Sequence, residues 1–173
     1  LKNYIKNPSY ETNLTSWGQA GAGTTTRTRD STQALFGSCC QKCVTDGTFS
    51  GQGAIYNDGT AGVVASVGQV WTGSGYFYQA AGGATVRVTL EYLDAGGGSL
   101  GITNGASVVL PAGAWPRASV TATAPATTAK AFLRYTNVNA TAITFFLDGA
   151  QMELAAAPTA YIDGDQTDGR WSG

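Results

Sequence analysis

Apolar and polar residues alternate along most of the chain, and no stretch repeats at the 3.6-residue period of a helix. The alternation is cleanest over 85–93. There Val86, Val88, Leu90 and Tyr92 fall on one side, and Arg87, Thr89, Glu91 and Leu93 on the other. Over 71–78, Trp71, Gly73, Gly75 and Phe77 share one side and Thr72, Ser74, Tyr76 and Tyr78 the other. Over 130–136, Ala131, Leu133 and Tyr135 alternate with Phe132, Arg134 and Thr136. Side chains two apart in a strand point the same way, so these segments predict strands with one buried face. Further strands are predicted at 3–6, 24–29, 38–45, 63–66, 107–110, 116–123 and 142–153, with the three above extended to 70–79, 85–93 and 129–137. Asn57-Asp58-Gly59, Ala81-Gly82-Gly83 and the run from Asp94 to Gly98 supply turns between them. About ten short strands suit an all-β fold, a two-sheet antiparallel β-sandwich of the jelly-roll kind.

The outward positions carry the candidate chemistry. If Val86, Val88 and Leu90 point inward, Arg87 and Glu91 point outward; if Phe77 points inward, so do Tyr76 and Tyr78 point outward. The candidate binding residues are therefore Tyr76, Tyr78, Arg87, Glu91, Phe132 and Arg134; that they share one face requires these strands to be neighbours, which alternation does not give. Aromatic faces stack on the apolar side of a pyranose ring, while guanidinium and carboxylate groups grip its hydroxyls. A sheet face covered by a neighbouring loop or domain would use the same residues without any ligand.

Composition narrows the function. Only 12% of the 173 residues are charged, about half the usual share, so the surface must be built from Thr, Ser, Asn, Gln and Gly, which suits neutral polar ligands such as sugars. A net charge of −1 offers no basic patch for nucleic acid. No apolar run is long enough to span a membrane as a helix. The chain has no His, which excludes Ser-His-Asp and Cys-His sites. Glycoside hydrolysis needs two carboxylates, and Glu91 is the single acid on the expected face. No catalysis is expected. Cys39, Cys40 and Cys43 are read as free thiols, because in a strand Cys39 and Cys43 stand about 13 Å apart, too far for a disulfide. The chain starts with Leu and reads as an excised or processed fragment.

Three segments carry a family resemblance. The opening NPSYETNLTSW (7–17), the later WPRASVTATAPATTAKAFLRY (115–135) and ITFFLDGAQMEL (143–154) resemble the carbohydrate-binding modules of the galactose-binding-like jelly-roll group. The closing AAPTAYIDGDQTDGRWSG (156–173) resembles the junction that follows such modules in minor tail proteins of siphophage-type bacteriophages. The resemblance implies a binding module over 1–155, with 156–173 an extended tail or linker to a further domain. It implies host cell-surface polysaccharide and other phage tail subunits as partners, and a virion, extracellular location. It places Glu11 and Asp148 where related modules hold a structural Ca²⁺, although both residue types also serve as turn hydrogen-bond acceptors. It places Trp17 and Trp115 in or beside the core, and Trp71 at the start of a strand reads as core too. GSCCQKC (37–43) departs from the family pattern and leaves local packing open. The DGDQTDG run (163–169) has the wrong spacing for an EF-hand loop and no closing Glu. Two other readings stand beside the tail module: a structural spacer without a sugar ligand, and an accessory module of a carbohydrate-active enzyme.

Overall fold

The computed structural model describes residues 2–58 and 61–162. Among these are twelve strands and no helix: β1 Trp17–Ala20, β2 Thr25–Asp30, β3 Cys40–Thr45, β4 Gly53–Tyr56, β5 Val63–Val64, β6 Val70–Tyr78, β7 Thr85–Leu93, β8 Ser99–Asn104, β9 Val108–Val109, β10 Arg117–Thr123, β11 Lys130–Asn137 and β12 Thr144–Glu153. They form two antiparallel sheets. The first runs β1-β4-β11-β7-β8, with β5 also on β11 and β9 also on β7; the second runs β10-β6-β12-β3-β2. The fold is an all-β jelly-roll sandwich, as the alternation predicts.

The inward faces are the predicted ones. Val86, Val88, Leu90, Leu133 and Tyr135 of the first sheet meet Trp71, Phe77, Phe145 and Leu147 of the second, and all are buried. Gly73 and Gly75 let the sheets approach at the centre. A Cβ on Gly73 would stand 2.1 Å from Leu133 Cδ1, and one on Gly75 would stand 2.5 Å from Tyr135 Cε1. The phenol of Tyr135 passes over the second glycine and donates to the Ser74 carbonyl at 2.7 Å. Trp17 packs edge-on against Tyr56 at 5.2 Å and tilted against Tyr10 at 5.0 Å, closing one side of the core as expected. Cys39, Cys40 and Cys43 are buried free thiols. Burial pushes the Cys40 and Cys43 thiols up to about 12, so they stay protonated.

Four expectations are corrected. Residues 3–6 do not form a strand, because Asn3 Oδ1 accepts the Met152 amide at 3.0 Å, a bond a ladder would have made through backbone. The strands β1, β4 and β8 were not predicted. Trp115 is half-buried on the outside of the second sheet, where it packs on Tyr78 at 5.2 Å. The packed body continues past 155 to Ile162. Buried Glu153 accepts the Thr159 amide at 2.9 Å and its hydroxyl at 2.6 Å, and Ile162 donates its amide to Gln151 Oε1 at 2.8 Å. The rest of the expected linker, with DGDQTDG, lies outside the described residues.

Candidate functional site

Within each strand the inside–outside assignment is correct, yet the six expected binding residues do not share a face. β6 and β7 follow one another in sequence but belong to different sheets. Tyr76 and Tyr78 therefore point away from the second sheet, while Arg87, Glu91, Phe132 and Arg134 point away from the first.

The outer face of the second sheet is an aromatic layer packed on itself. Tyr78 lies between Trp115 at 5.2 Å and Phe146 at 5.9 Å. Tyr76 lies between Phe36 at 5.4 Å and the Arg117 guanidinium at 5.3 Å. Tyr161 stacks on Phe36 at 4.2 Å. The returning segment after β12 covers this face further, since Thr72 donates to the Ala155 carbonyl at 2.7 Å and Arg117 to Thr159 O.

The outer face of the first sheet is different. β7 and β11 are neighbours, with Arg134 opposite Thr89, Phe132 opposite Glu91 and Thr136 opposite Arg87. β8 adds Asn104 opposite Thr89 and Ile102 opposite Glu91. A groove of about 180 Å³ runs here, lined by Arg87, Thr89, Ile102, Asn104, Arg134 and Thr136, with Gly21, Ser50 and Gly51 as one wall. That wall is held by close loop contact: a Cβ on Gly21 would meet the Gly51 carbonyl at 2.5 Å.

The polar groups of the groove are ordered by one another. Arg134 Nη2 donates to Glu91 Oε2 in an ion pair whose side chains are 24% and 9% exposed. Thr89 Oγ1 donates to Asn104 Oδ1 at 3.0 Å. The Nε atoms of Arg87 and Arg134 are buried and meet no acceptor. A buried N–H without an acceptor costs free energy. Phe132 is half-buried opposite Glu91, two residues along β11 from Arg134 on the same face, its ring edge under the turn at Gly62. Asn104 and Ile102 were missed because β8 was not recognised as a strand. The signal available was the Ile102–Asn104 pairing of outward positions, which needs β8 to be placed beside β7.

A second depression, of about 290 Å³, lies at one end of the sandwich among Gln79, Thr85, Asn137, Asn139 and Thr141. Its main readers are already engaged. Gln79 Oε1 accepts the Ala84 amide at 2.9 Å, and Asn137 Oδ1 accepts the Gln52 amide at 2.9 Å.

Glu11 and Asp148 are committed to backbone donors, not arranged around an ion. Glu11 Oε1 accepts the amides of Ser38 and Cys39, both at 2.9 Å, and Oε2 accepts the Ser38 hydroxyl at 2.7 Å. Asp148 Oδ2 accepts Leu35 and Phe36 at 2.7 and 2.9 Å, and Oδ1 accepts Gly149 at 2.7 Å. Together they pin the loop before β3. Calcium requires six to eight oxygens facing one point. Here N–H groups face both carboxylates, and no cluster of three metal-binding side chains occurs among the described residues, so this donor set does not fit the ion. Burial pushes Asp148 up to about 6, against the lowering by Phe36, Leu35 and Gly149 amides. For Glu11 burial works upward as well, but the hydrogen bonds from Ser38 and Cys39 and the charge of Arg29 outweigh it and lower its pKa.

The sequence matches no protein-family model and no curated protein. Solved structures do resemble it. A Clostridium thermocellum endo-1,4-β-D-xylanase 10B, comprising a family 22 carbohydrate-binding module and its catalytic module complexed with xylohexaose, matches over 84% of this chain at TM-score 0.69 and 20% identity. The fold is that of the family 22 jelly-roll modules. The CBM22-1 xylan-binding domain of Paenibacillus barcinonensis Xyn10C matches over 87% of this chain and 93% of its own, at TM-score 0.67 and 20% identity. The enzymatically active domain of tailspike protein 4 from bacteriophage CBA120 matches over 88% of this chain at TM-score 0.59 and 15% identity. The chain spans 27% of the xylanase and 21% of the tailspike.

Proposed function

We infer that the protein is a non-catalytic carbohydrate-binding module whose ligand lies in the groove on the outer face of the first sheet. The observation that carries this is the groove itself: two guanidinium groups beside hydroxyl and carboxamide side chains, on a fold shared with xylan-binding domains. Beside the groove stands one carboxylate, Glu91, already bonded to Arg134. The groove therefore binds without cutting, since glycoside hydrolysis takes two carboxylates. The finer setting is a phage tail or baseplate protein that adheres to host surface polysaccharide outside the cell, with weak sites multiplied by copies on the virion. The resemblance of the closing segment to tail-protein junctions and the tailspike likeness favour it. An accessory module of a carbohydrate-active enzyme fits the same groove and has the xylanase modules on its side. The test is a glycan microarray that includes xylans and bacterial surface polysaccharides, probed with wild type and Arg134→Ala. Binding to a defined glycan that the variant loses is expected. A domain that binds no glycan would contradict the reading and leave the structural-spacer role.

A further inference from the structure

The charge balance of the groove points to the kind of sugar it takes. Among the described residues there are two ion pairs, Lys6 with Asp58 and Arg134 with Glu91. Arg87 has no such partner. It stands opposite Thr136 on the neighbouring strand and lines the groove with Arg134, and no Asp or Glu lines that groove. Its Nε is buried and meets no acceptor. Glu91, two residues along β7 from Thr89, is spent on Arg134. The groove thus holds one guanidinium that is neutralised and one that is not, in a chain whose net charge is −1.

We propose that Arg87 is an anion reader and that the groove selects polysaccharides carrying an oxyanion on the sugar chain. This rests on the groove being the glycan site. A neutral sugar would satisfy the N–H donors of Arg87 but leave its charge uncompensated in a partly dry groove. A carboxylate or phosphate satisfies both, and the planar guanidinium fork matches either group in a two-point hydrogen bond. Thr136 and Asn104 beside it offer neutral donors for the adjoining hydroxyls. Two sources supply such a group: uronic acid residues, and phosphodiester-linked glycans such as teichoic acids.

The experiment compares affinities by isothermal titration for alginate, polygalacturonate and glucuronoxylan, each beside its carboxyl-reduced form, and for a poly(glycerol phosphate) teichoic acid. Wild type, Arg87→Gln and Arg134→Ala are used, with unchanged melting temperatures as the folding control. At least one acidic polymer is expected to bind about tenfold or more tightly than its reduced form, and Arg87→Gln is expected to erase that preference. The carboxylate arms and the teichoic acid arm separate the two sources. Equal binding of acidic and reduced polymers, lost in Arg134→Ala, would overturn the anion reading and leave the groove as the site. A preference that survives Arg87→Gln would overturn the role of Arg87. No binding to any polymer in the panel would overturn this inference together with the reading on which it rests.

Discussion

Gly73 and Leu133 meet where the two sheets come closest, and a double-mutant cycle between them measures that contact. The three atoms nearest to a Cβ on Gly73 would all belong to Leu133: Cδ1 at 2.1 Å and Cδ2 and Cγ at 3.3 Å. Leu133 is fully buried, so it has little room to turn aside. Gly73→Ala alone should cost about 1–3 kcal/mol as overpacking. Leu133→Ala alone should cost about 2–5 kcal/mol through lost burial and the cavity left behind. In the Leu133→Ala background the three atoms nearest to position 73 are gone. Gly73→Ala then fills part of the cavity and removes unfolded-state freedom worth about 0.4–1 kcal/mol. The double variant should be at least as stable as Leu133→Ala, a coupling of about 1–3 kcal/mol favouring the pair. Urea unfolding followed by Trp fluorescence gives the four stabilities, with equal slopes as the check that the unfolded states match. Costs that simply add would refute the facing of β6 on β11 and, with it, the outward direction of Arg134.

Three other outcomes are expected. Asp148 holds a proton in the folded state up to about pH 6, above its ordinary 3.8, so stability should fall as pH rises between about 4 and 6, by about 3 kcal/mol in all. Chemical unfolding across that range should show the slope in wild type and lose it in Asp148→Asn; Glu11, shifted downward, acts only below its ordinary 4.5 and in the opposite sense, and a slope shared by both proteins would contradict the assignment. Excess chelator should leave the melting temperature unchanged, because amide N–H groups already satisfy Glu11 and Asp148; a drop on chelation would mean that an ion binds the native state there. Phe132→Ala should weaken binding of the glycan found on the array by about 1 kcal/mol in calorimetric titration, and Tyr78→Ala should not; the reverse pattern would move the site to the second sheet.

The sandwich was legible in the sequence because nearly every core strand keeps a strict two-residue period. Val86, Val88 and Leu90 declare their own inside, and Trp71 at the start of its strand follows from the same reading; Trp17 is placed by the family resemblance and the free thiols by strand spacing. What escaped is pairing. β1 and β4 are four-residue strands containing Gly18 and Gly53, and β8 contains Gly101, so each reads as turn. Without β8 the groove has no far wall. Alternation within a strand also says nothing about which sheet the strand joins; setting Tyr76 and Tyr78 beside Arg87 takes that from the family resemblance, whereas β6 and β7 lie in different sheets. The mixed aromatic and charged set was two faces read as one. For Glu11 and Asp148 the sequence shows one carboxylate before the first predicted turns and one within a strand, but not the five backbone amides that turn toward them.

The central claim is that a glycan lies across β7, β8 and β11. It is tested most directly by titrating the isotopically labelled domain with an oligosaccharide of the array-positive glycan and following backbone amide shifts by nuclear magnetic resonance. The account predicts shifts concentrated at Arg87, Thr89, Ile102, Asn104, Arg134 and Thr136. Shifts concentrated instead at Tyr76, Tyr78, Trp115 and Phe146 would contradict it.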